Sequence, residues 1–154
     1  MSRIAAEAYL QEKGFLDRLI VLEANTATVA LAAQALGVEP GCIAKSIALL
    51  LNDQPILILA EGTARIDNPK FKKAFGTKAR MIPPDRVEEM VGHAPGGVSP
   101  FGRKPGVSVY LDESLRRYDT VYPAAGDDHT AVRLTPRELE AIVGAAGWVD
   151  VTKE

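Results

Sequence analysis

A lysine within a long apolar run is the first residue of this sequence that could do chemistry. Lys45 lies in residues 42–51, where most of its neighbours are aliphatic. If the run forms a β-strand, alternation places Lys45 on the same face as Ile47 and Leu49. An ammonium group on an apolar face must be solvated or paired, because burial of an unpaired charge is costly. The pattern therefore predicts that Lys45 points into a cleft or reaches water at the edge of a sheet.

A segment rich in glycine is the second candidate. Residues 96–102 read GGVSPFG and are called the glycine loop below. Glycine permits a positive φ and lets a ligand approach backbone N–H groups, whereas proline fixes φ and extends the residue before it. The composition predicts a rigid loop that presents its backbone to a ligand. An ordered surface turn anchored by Val98 and Phe101 is the alternative.

Ser99, Asp128 and His129 have the residue types of a hydrolase triad. A nucleophile elbow needs a backbone N–H directly after the serine, and here Pro100 follows, which has none. This disfavours Ser99 as a nucleophile and predicts that its hydroxyl helps to orient a ligand. For Asp128 and His129, a solvated turn between two strands is the alternative.

The charged residues follow two patterns. Basic side chains are concentrated at Lys70, Lys72, Lys73, Lys78 and Arg80. Such a cluster is either a solvated helix face or a surface that holds a phosphate backbone. By contrast, the charges at the end of the second hairpin strand, Glu61 among them, are expected to face solvent.

Composition limits the class of protein. The chain has 154 residues, is 47% hydrophobic and carries a formal net charge of −2. A chain of this length can bury a core as one domain, residues 1–154, without disulfides. Its one cysteine fits a reducing cytoplasm, and the apolar run 47–51 is too short to cross a bilayer. A soluble cytoplasmic protein without a membrane partner is therefore predicted. The two histidines permit a metal site that nothing else in the sequence supports.

Helices and hairpins must position these candidates. Helices are predicted over residues 2–13, 27–36, 68–76, 84–92 and from 136 to about 144, the second capped by Asn25-Thr26. Strands are predicted over residues 42–51, 55–60, 78–82, 107–111, 120–124, 130–134 and 148–151. Hairpins mixed with helices favour an α/β fold of the α+β type with a mixed, largely antiparallel sheet.

Together these pieces resemble the YbaK/ProX family of aminoacyl-tRNA editing domains, found free-standing and inserted in prolyl-tRNA synthetases. The resemblance follows the family order over residues 25–151. It is carried by residues 26–38, 43–46, the hairpin, residues 96–102, 125–126 and 132–134, and the helix that begins at Thr135. It implies a barrel-like sheet surrounded by helices.

The implied activity is hydrolysis of the ester that joins a wrong amino acid to the 3′ end of a tRNA. The catalytic residues implied are Lys45, Gly96, Gly97, Val98, Ser99 and Pro100. The substrate-binding residues implied are Thr26, Ser46, Phe101, Gly102, Gly126, Asp128 and His129. Loop N–H groups would bind the ester carbonyl and its oxyanion, and Lys45 would neutralise groups at the terminal adenosine.

The implied substrate is proline tRNA that carries a small wrong amino acid, with a prolyl-tRNA synthetase as a partner. The residue after the lysine differs among subgroups of the family and is Ser46 here, so the amino acid stays open. No cofactor, metal or side-chain general base is implied; an aminoacyl ester is already activated, and water held by the loop is expected to suffice. A non-catalytic module that binds aminoacyl-tRNA or a nucleotide-like ligand is the alternative.

Overall fold

The computed structural model describes residues 2–154, which form a mixed sheet with helices on both faces. The α-helices of this part of the chain are α1 (Ser2–Lys13), α2 (Val29–Leu36), α3 (Asn68–Phe75), α4 (Pro84–Val91) and α5 (Pro136–Val143). The strands are β1 (Leu19–Val21), β2 (Ala44–Leu51), β3 (Gln54–Glu61), β4 (Arg65–Ile66), β5 (Arg80–Met81), β6 (Ser108–Asp112), β7 (Thr130–Val132), β8 (Gly147–Val149) and β9 (Thr152–Lys153). No helix of this part is long and apolar enough to cross a membrane.

The main sheet has the strand order β5-β2-β3-β6-β8. The pairs β5-β2 and β2-β3 are antiparallel, whereas β3-β6 and β6-β8 are parallel. Two small antiparallel pairs, β1-β7 and β4-β9, flank it. The predicted mixed, largely antiparallel α+β fold is confirmed, although the sheet is open and does not close into a barrel.

Local sequence explains where several elements begin and turn. The hairpin between β2 and β3 turns through Asn52 and Asp53, whose φ angles are 50° and 66°. Such left-handed conformations suit Asn and Asp and match the twist of a two-residue hairpin. At α5, Thr135 and Glu138 form a capping box, which satisfies backbone N–H groups at the helix start.

The main sheet separates two apolar clusters. On one face Ala44, Ala48, Leu57 and Leu59 pack with residues of α1, α4 and α5. On the other face Leu49, Ile56 and Ile58 pack with Phe71 of α3. Because residues two apart share a face of a strand, Lys45 lies on the α3 side with Ile47 and Leu49, as the alternation predicted.

Two local predictions are wrong. Residues 120–124 form only single bridges, from Val121 to Leu134 and from Tyr122 to Ile43, and no continuous strand. Pro123 within this segment has no N–H to donate, which limits any ladder. Helix α2 begins at Val29, and its cap is Thr28, whose hydroxyl accepts from the N–H of Leu31. This leaves Thr26 outside the helix.

Candidate functional site

A small cleft gathers several of the residues predicted to do chemistry. It lies between the segment that leads into α2, the first residues of β2 and the glycine loop, and its volume is about 150 Å³. Its polar side chains are Thr26, Thr28, Lys45, Ser46, Tyr122 and Thr130. The rest of the lining is apolar or glycine. A cavity of this size holds a group no larger than a small side chain with its neighbouring atoms.

Lys45, near the start of β2, lines this cleft. Its ammonium group donates hydrogen bonds to the carbonyls of Gly62, at 3.3 Å, and Ala64. Burial lowers the pKa of Lys45, and attraction to the Glu61 carboxylate offsets part of that effect. An ammonium group has three N–H donors, so one remains for a group in the cleft. Lys45 thus fixes the turn after β3 and carries positive charge beside the cavity.

The glycine loop contributes Gly96 and Val98 to the lining of the cleft. Gly96 has a φ of 92°, a conformation that glycine adopts without strain. The N–H of Gly97 is used within the loop, where it donates to the carbonyl of Ala94 at 3.1 Å. The N–H groups of Gly96 and Val98 have no partner within residues 2–154. Because Gly96 and Val98 are the loop residues that line the cleft, their N–H groups are the loop's candidate donors to a ligand there.

The loop is held by packing from two sides. At Gly97 a Cβ would lie 2.6 Å from the backbone nitrogen of Asp127, so the loop touches the turn before β7. At Gly102 a Cβ would lie 2.5 Å from the backbone of Ala5 in α1. The guanidinium of Arg103 donates to the carbonyls of Pro100 and Val107 at 3.0 and 2.7 Å. The loop is therefore fixed in shape before any ligand arrives.

Two hydroxyl groups of the cleft are buried without a hydrogen-bond partner in the described residues, Thr26 Oγ1 and Ser46 Oγ. Buried polar atoms are usually paired, because an unpaired one loses its bonds to water. Thr26 is held in place by its own N–H, which donates to the carbonyl of Asp128 at 2.6 Å. Because both residues line the cleft, their hydroxyls are candidates to bond a polar group that enters it.

The other predicted site residues lie around the cleft and are not part of its lining. They are Gly97, Ser99, Pro100, Phe101, Gly102, Gly126, Asp128 and His129. Ser99 and Phe101 are fully buried, and the Ser99 hydroxyl accepts from the Phe101 N–H at 3.1 Å. This bond shapes the loop, and within residues 2–154 no hydrogen bond joins Ser99 to His129. Their functional roles stay predictions.

Asp128 and His129 form a pair beside the cleft entrance. The Nδ1 atom of His129 lies 2.6 Å from a carboxylate oxygen of Asp128, and both side chains are nearly half exposed. The carbonyl of His129 accepts from the N–H of Leu22, which ties the turn to β1. The turn thus positions Thr26 through its backbone, while the two side chains remain accessible from outside.

The expectation that Glu61 faces solvent is wrong. Its side chain is 1% exposed and accepts hydrogen bonds from Thr63 and from the hydroxyl of Tyr118. Burial and the nearby carboxylate raise the pKa of Tyr118 to about 12. The signal that could have found Glu61 is its position opposite Ala44, at the end of a strand with an unbroken apolar run.

Within residues 2–154 no three His, Cys, Asp or Glu side chains are grouped closely enough to hold an ion.

Comparison with known proteins decides the family. A model of the aminoacyl-tRNA editing domain matches residues 23–142, which include every residue named above as cleft lining. The chain belongs to the aminoacyl-tRNA editing domain family. The resemblance drawn from Lys45, the glycine loop and the order of the elements is thereby confirmed.

Relatives of this editing domain include both free-standing proteins and synthetases. The chain is 47% identical over 133 residues to YwhH of Bacillus subtilis, described as uncharacterized. The match covers 86% of this chain and 85% of YwhH. It is 30% identical over 93 residues to the proline–tRNA ligase of Aquifex aeolicus. These residues make up 59% of this chain but 16% of the ligase. The chain thus corresponds to a small part of that synthetase.

A solved structure supports the same fold. It is described as a candidate trans-editing enzyme for prolyl tRNA synthetase and superposes with a TM-score of 0.88 at 35% identity. The match covers 99% of this chain and 98% of the other. The fold of this editing domain is therefore of the YbaK type.

Proposed function

We propose that residues 1–154 act as a single editing domain that hydrolyses the ester of mischarged tRNA in trans. The observation that carries the proposal is the combination found around one cavity of about 150 Å³. A lysine ammonium, two open loop N–H groups and two unpartnered hydroxyls surround it. This set matches what an aminoacyl ester offers: a carbonyl, an amino group and a ribose.

The glycine loop supplies the chemical step in this proposal. Water attacks the ester carbonyl carbon, and the carbonyl oxygen becomes an oxyanion. The N–H groups of Gly96 and Val98 bond that oxyanion, and they need no rearrangement because the loop is already fixed. The C–O bond to the ribose then breaks. The ribose oxygen takes a proton from the attacking water, which leaves a free amino acid and an uncharged tRNA.

Lys45 acts on the ribose side of the ester. Two of its three N–H donors hold the turn at Gly62 and Ala64, and the third is directed to a hydroxyl or phosphate oxygen of the terminal adenosine. Because the bonds to Gly62 and Ala64 hold the ammonium group in place, they also hold the substrate oxygen that bonds to it. The role of Lys45 is thus orientation and charge neutralisation, and no proton transfer by its side chain is needed.

The size of the cavity favours a small amino acid. About 150 Å³ accommodates an aminoacyl group with a short side chain, whereas a whole adenosine must lie outside. Thr26 and Ser46 can bond its amino group or a polar side chain. Synthetases discriminate one methylene by only about 1–3 kcal/mol, so small wrong amino acids are the ones that need a second check.

Proline tRNA is the proposed carrier of the wrong amino acid, and the prolyl-tRNA synthetase is the proposed source of the substrate. The support is the similarity to part of the Aquifex proline–tRNA ligase and to the solved candidate trans-editing enzyme. A protein that meets its substrate in this way works in the cytoplasm, where tRNA is charged.

The test is a deacylation assay with alanyl, cysteinyl, seryl and threonyl forms of proline tRNA. We expect the wild type to release at least one of them and Lys45→Ala to lose release by about 100-fold or more, as for loss of an electrostatic catalytic group. Lys13→Ala is the matched control, because Lys13 is exposed on α1.

Two results would contradict the proposal. Saturable binding of mischarged tRNA without release of any amino acid would make this domain a binding module. Full activity of Lys45→Ala, with an unchanged circular dichroism spectrum, would remove the cleft from the reaction.

A further inference from the structure

The surface formed by α3 and the segment after it is strongly basic. From residue 65 to residue 80 the basic side chains are Arg65, Lys70, Lys72, Lys73, Lys78 and Arg80, and Asp67 is the one acid. The whole chain by contrast has a net charge of −2. Positive charge is therefore concentrated on the α3 side of the sheet.

A groove within this surface is bordered by Lys72 and Lys78. It has a volume of about 540 Å³, and its other lining residues are Asn68, Pro69 and Ala79. No carboxylate lines it. An open groove with two ammonium groups and an amide is suited to phosphate oxygens, which accept hydrogen bonds from such donors.

No carboxylate in the described part of the fold neutralises the two lysines of the groove. Within residues 2–154 neither Lys72 nor Lys78 forms an ion pair, whereas Lys70 pairs with Asp150 at 3.1 Å and Arg80 lies 3.8 Å from Asp53. Lys72 lies in the last turn of α3, where its positive charge interacts favourably with the helix dipole. Lys78 lies outside the helix and has no such explanation.

The groove is close to the cleft along the chain. Lys45 bonds the carbonyl of Ala64, and α3 begins four residues later at Asn68. Four extended residues span at most about 14 Å, and the four helical steps from Asn68 to Lys72 add about 6 Å. Lys72 is thus within roughly 20 Å of the turn that Lys45 holds. That distance is covered by a few nucleotides of a strand whose 3′ end lies in the cleft.

We propose that the groove between Lys72 and Lys78 binds the phosphate backbone of the tRNA acceptor arm while its 3′ end occupies the cleft. This inference rests on the proposed function for the orientation of the tRNA. It adds the surface by which the protein holds the body of its substrate. The contacts are to phosphates, so the groove contributes affinity for tRNA and no base sequence preference.

The test compares a groove variant, Lys72→Glu with Lys78→Glu, and a control of equal charge change, Lys13→Glu with Arg137→Glu. Lys13 and Arg137 are exposed on α1 and α5. Binding of uncharged proline tRNA is measured by fluorescence anisotropy at several salt concentrations. We expect the groove variant to bind at least about tenfold more weakly, and its salt slope to fall by about two, one for each lost phosphate contact. The control should stay near the wild type.

A hydrolysis assay tests the tRNA-binding groove separately from the proposed function. On full mischarged tRNA we expect kcat/KM of the groove variant to fall. From a 3′-aminoacyl adenosine, which has no phosphate for the groove to bind, the same variant should release the amino acid at the wild-type rate. Equal tRNA binding by groove variant and control overturns the inference even if the wild type is active. A wild type that binds tRNA through the groove but releases nothing overturns the proposed function alone. If the double Glu variant unfolds, Lys72→Gln with Lys78→Gln replaces it, and equal binding by that variant and the wild type overturns the inference.

Discussion

His93 and Phe101 are joined by a buried hydrogen bond of 2.7 Å between the Nε2 atom of the imidazole and the backbone carbonyl of Phe101. A carbonyl only accepts, so Nε2 carries the proton. The bond closes the chain between these residues into a ring that contains Gly96 and Val98. Because His93 is fully buried, its pKa is lowered by burial, and the neutral ring is the form that holds the loop.

Acid should therefore destabilise the fold through His93. Its folded pKa lies below the ordinary value of 6.5, so the unfolded chain binds more protons as the pH falls below that value, and acidification favours unfolding. The loss is about 1.4 kcal/mol for each unit by which the pKa is lowered. We expect His93→Gln, which can still donate to Phe101 but does not titrate, to lose less stability than the wild type in thermal melts from about pH 7 to about pH 5. His129→Gln should keep the acid sensitivity of the wild type, because it leaves His93 in place. If His93→Gln loses as much stability on acidification as the wild type, His93 is not the group responsible.

The alkaline limb of the deacylation rate should report Lys45. Burial lowers its pKa from 10.5, so the ammonium loses its proton at a lower pH than an exposed lysine, and activity that needs the charge falls there. Glu61→Gln removes an attraction that raises this pKa and should move the fall to still lower pH. The measurement is kcat/KM from about pH 7 to about pH 10, corrected for spontaneous hydrolysis. Lys45→Arg keeps its charge over this range, so the same limb in that variant would assign it to another group.

Two of the threonines that border the cleft, Thr26 and Thr130, should respond differently to removal of their hydroxyls. Thr26→Val deletes an unpartnered group and should leave the melting temperature almost unchanged while it lowers kcat/KM by about tenfold, the value of one hydrogen bond to the substrate. Thr130→Val deletes a hydroxyl that donates to Asp127 and accepts from Ala125, and should cost about 1–3 kcal/mol of stability. Loss of stability in Thr26→Val without any loss of activity would show that its hydroxyl serves the fold.

Gly97 is predicted to tolerate no side chain. A Cβ there would meet the backbone of Asp127 at 2.6 Å, so Gly97→Ala should cost about 1–3 kcal/mol and reduce deacylation by moving the loop donors. Gly147→Ala is the matched control, since nothing lies within 4 Å of its added methyl group. Equal unfolding free energies of the two variants, from urea titration, would argue against the tight contact.

Features set by a few neighbouring residues could be predicted from the sequence. The hairpin turn at Asn52 and Asp53 and the start of α5 at Thr135 follow from local backbone chemistry, and both are present. The face of Lys45 followed from strand alternation alone. For the glycine loop, composition by itself left open a simple surface turn. The family resemblance was needed to predict that the loop belongs to a site.

Features set by distant partners could not be predicted. The parallel pairing of β3 with β6 depends on which strands meet after long connections, and nothing in either strand specifies its neighbour. Glu61 looked solvent-facing because one of the groups that bury and bond its carboxylate, the hydroxyl of Tyr118, comes from far away in the chain. Ser99 and Phe101 turn inward for a similar reason, since the loop must rest on α1, which is almost one hundred residues earlier.

The close contact between Gly102 and Ala5 links the glycine loop to a helix that lies outside the family match, which begins at residue 23. Regions that share buried contacts open together in native-state fluctuations. The loop amides should therefore exchange their hydrogens at rates that follow those of α1. We expect the N-terminal helix and the glycine loop to behave as one foldon, so that sequence changes in α1 alter how firmly the loop is held.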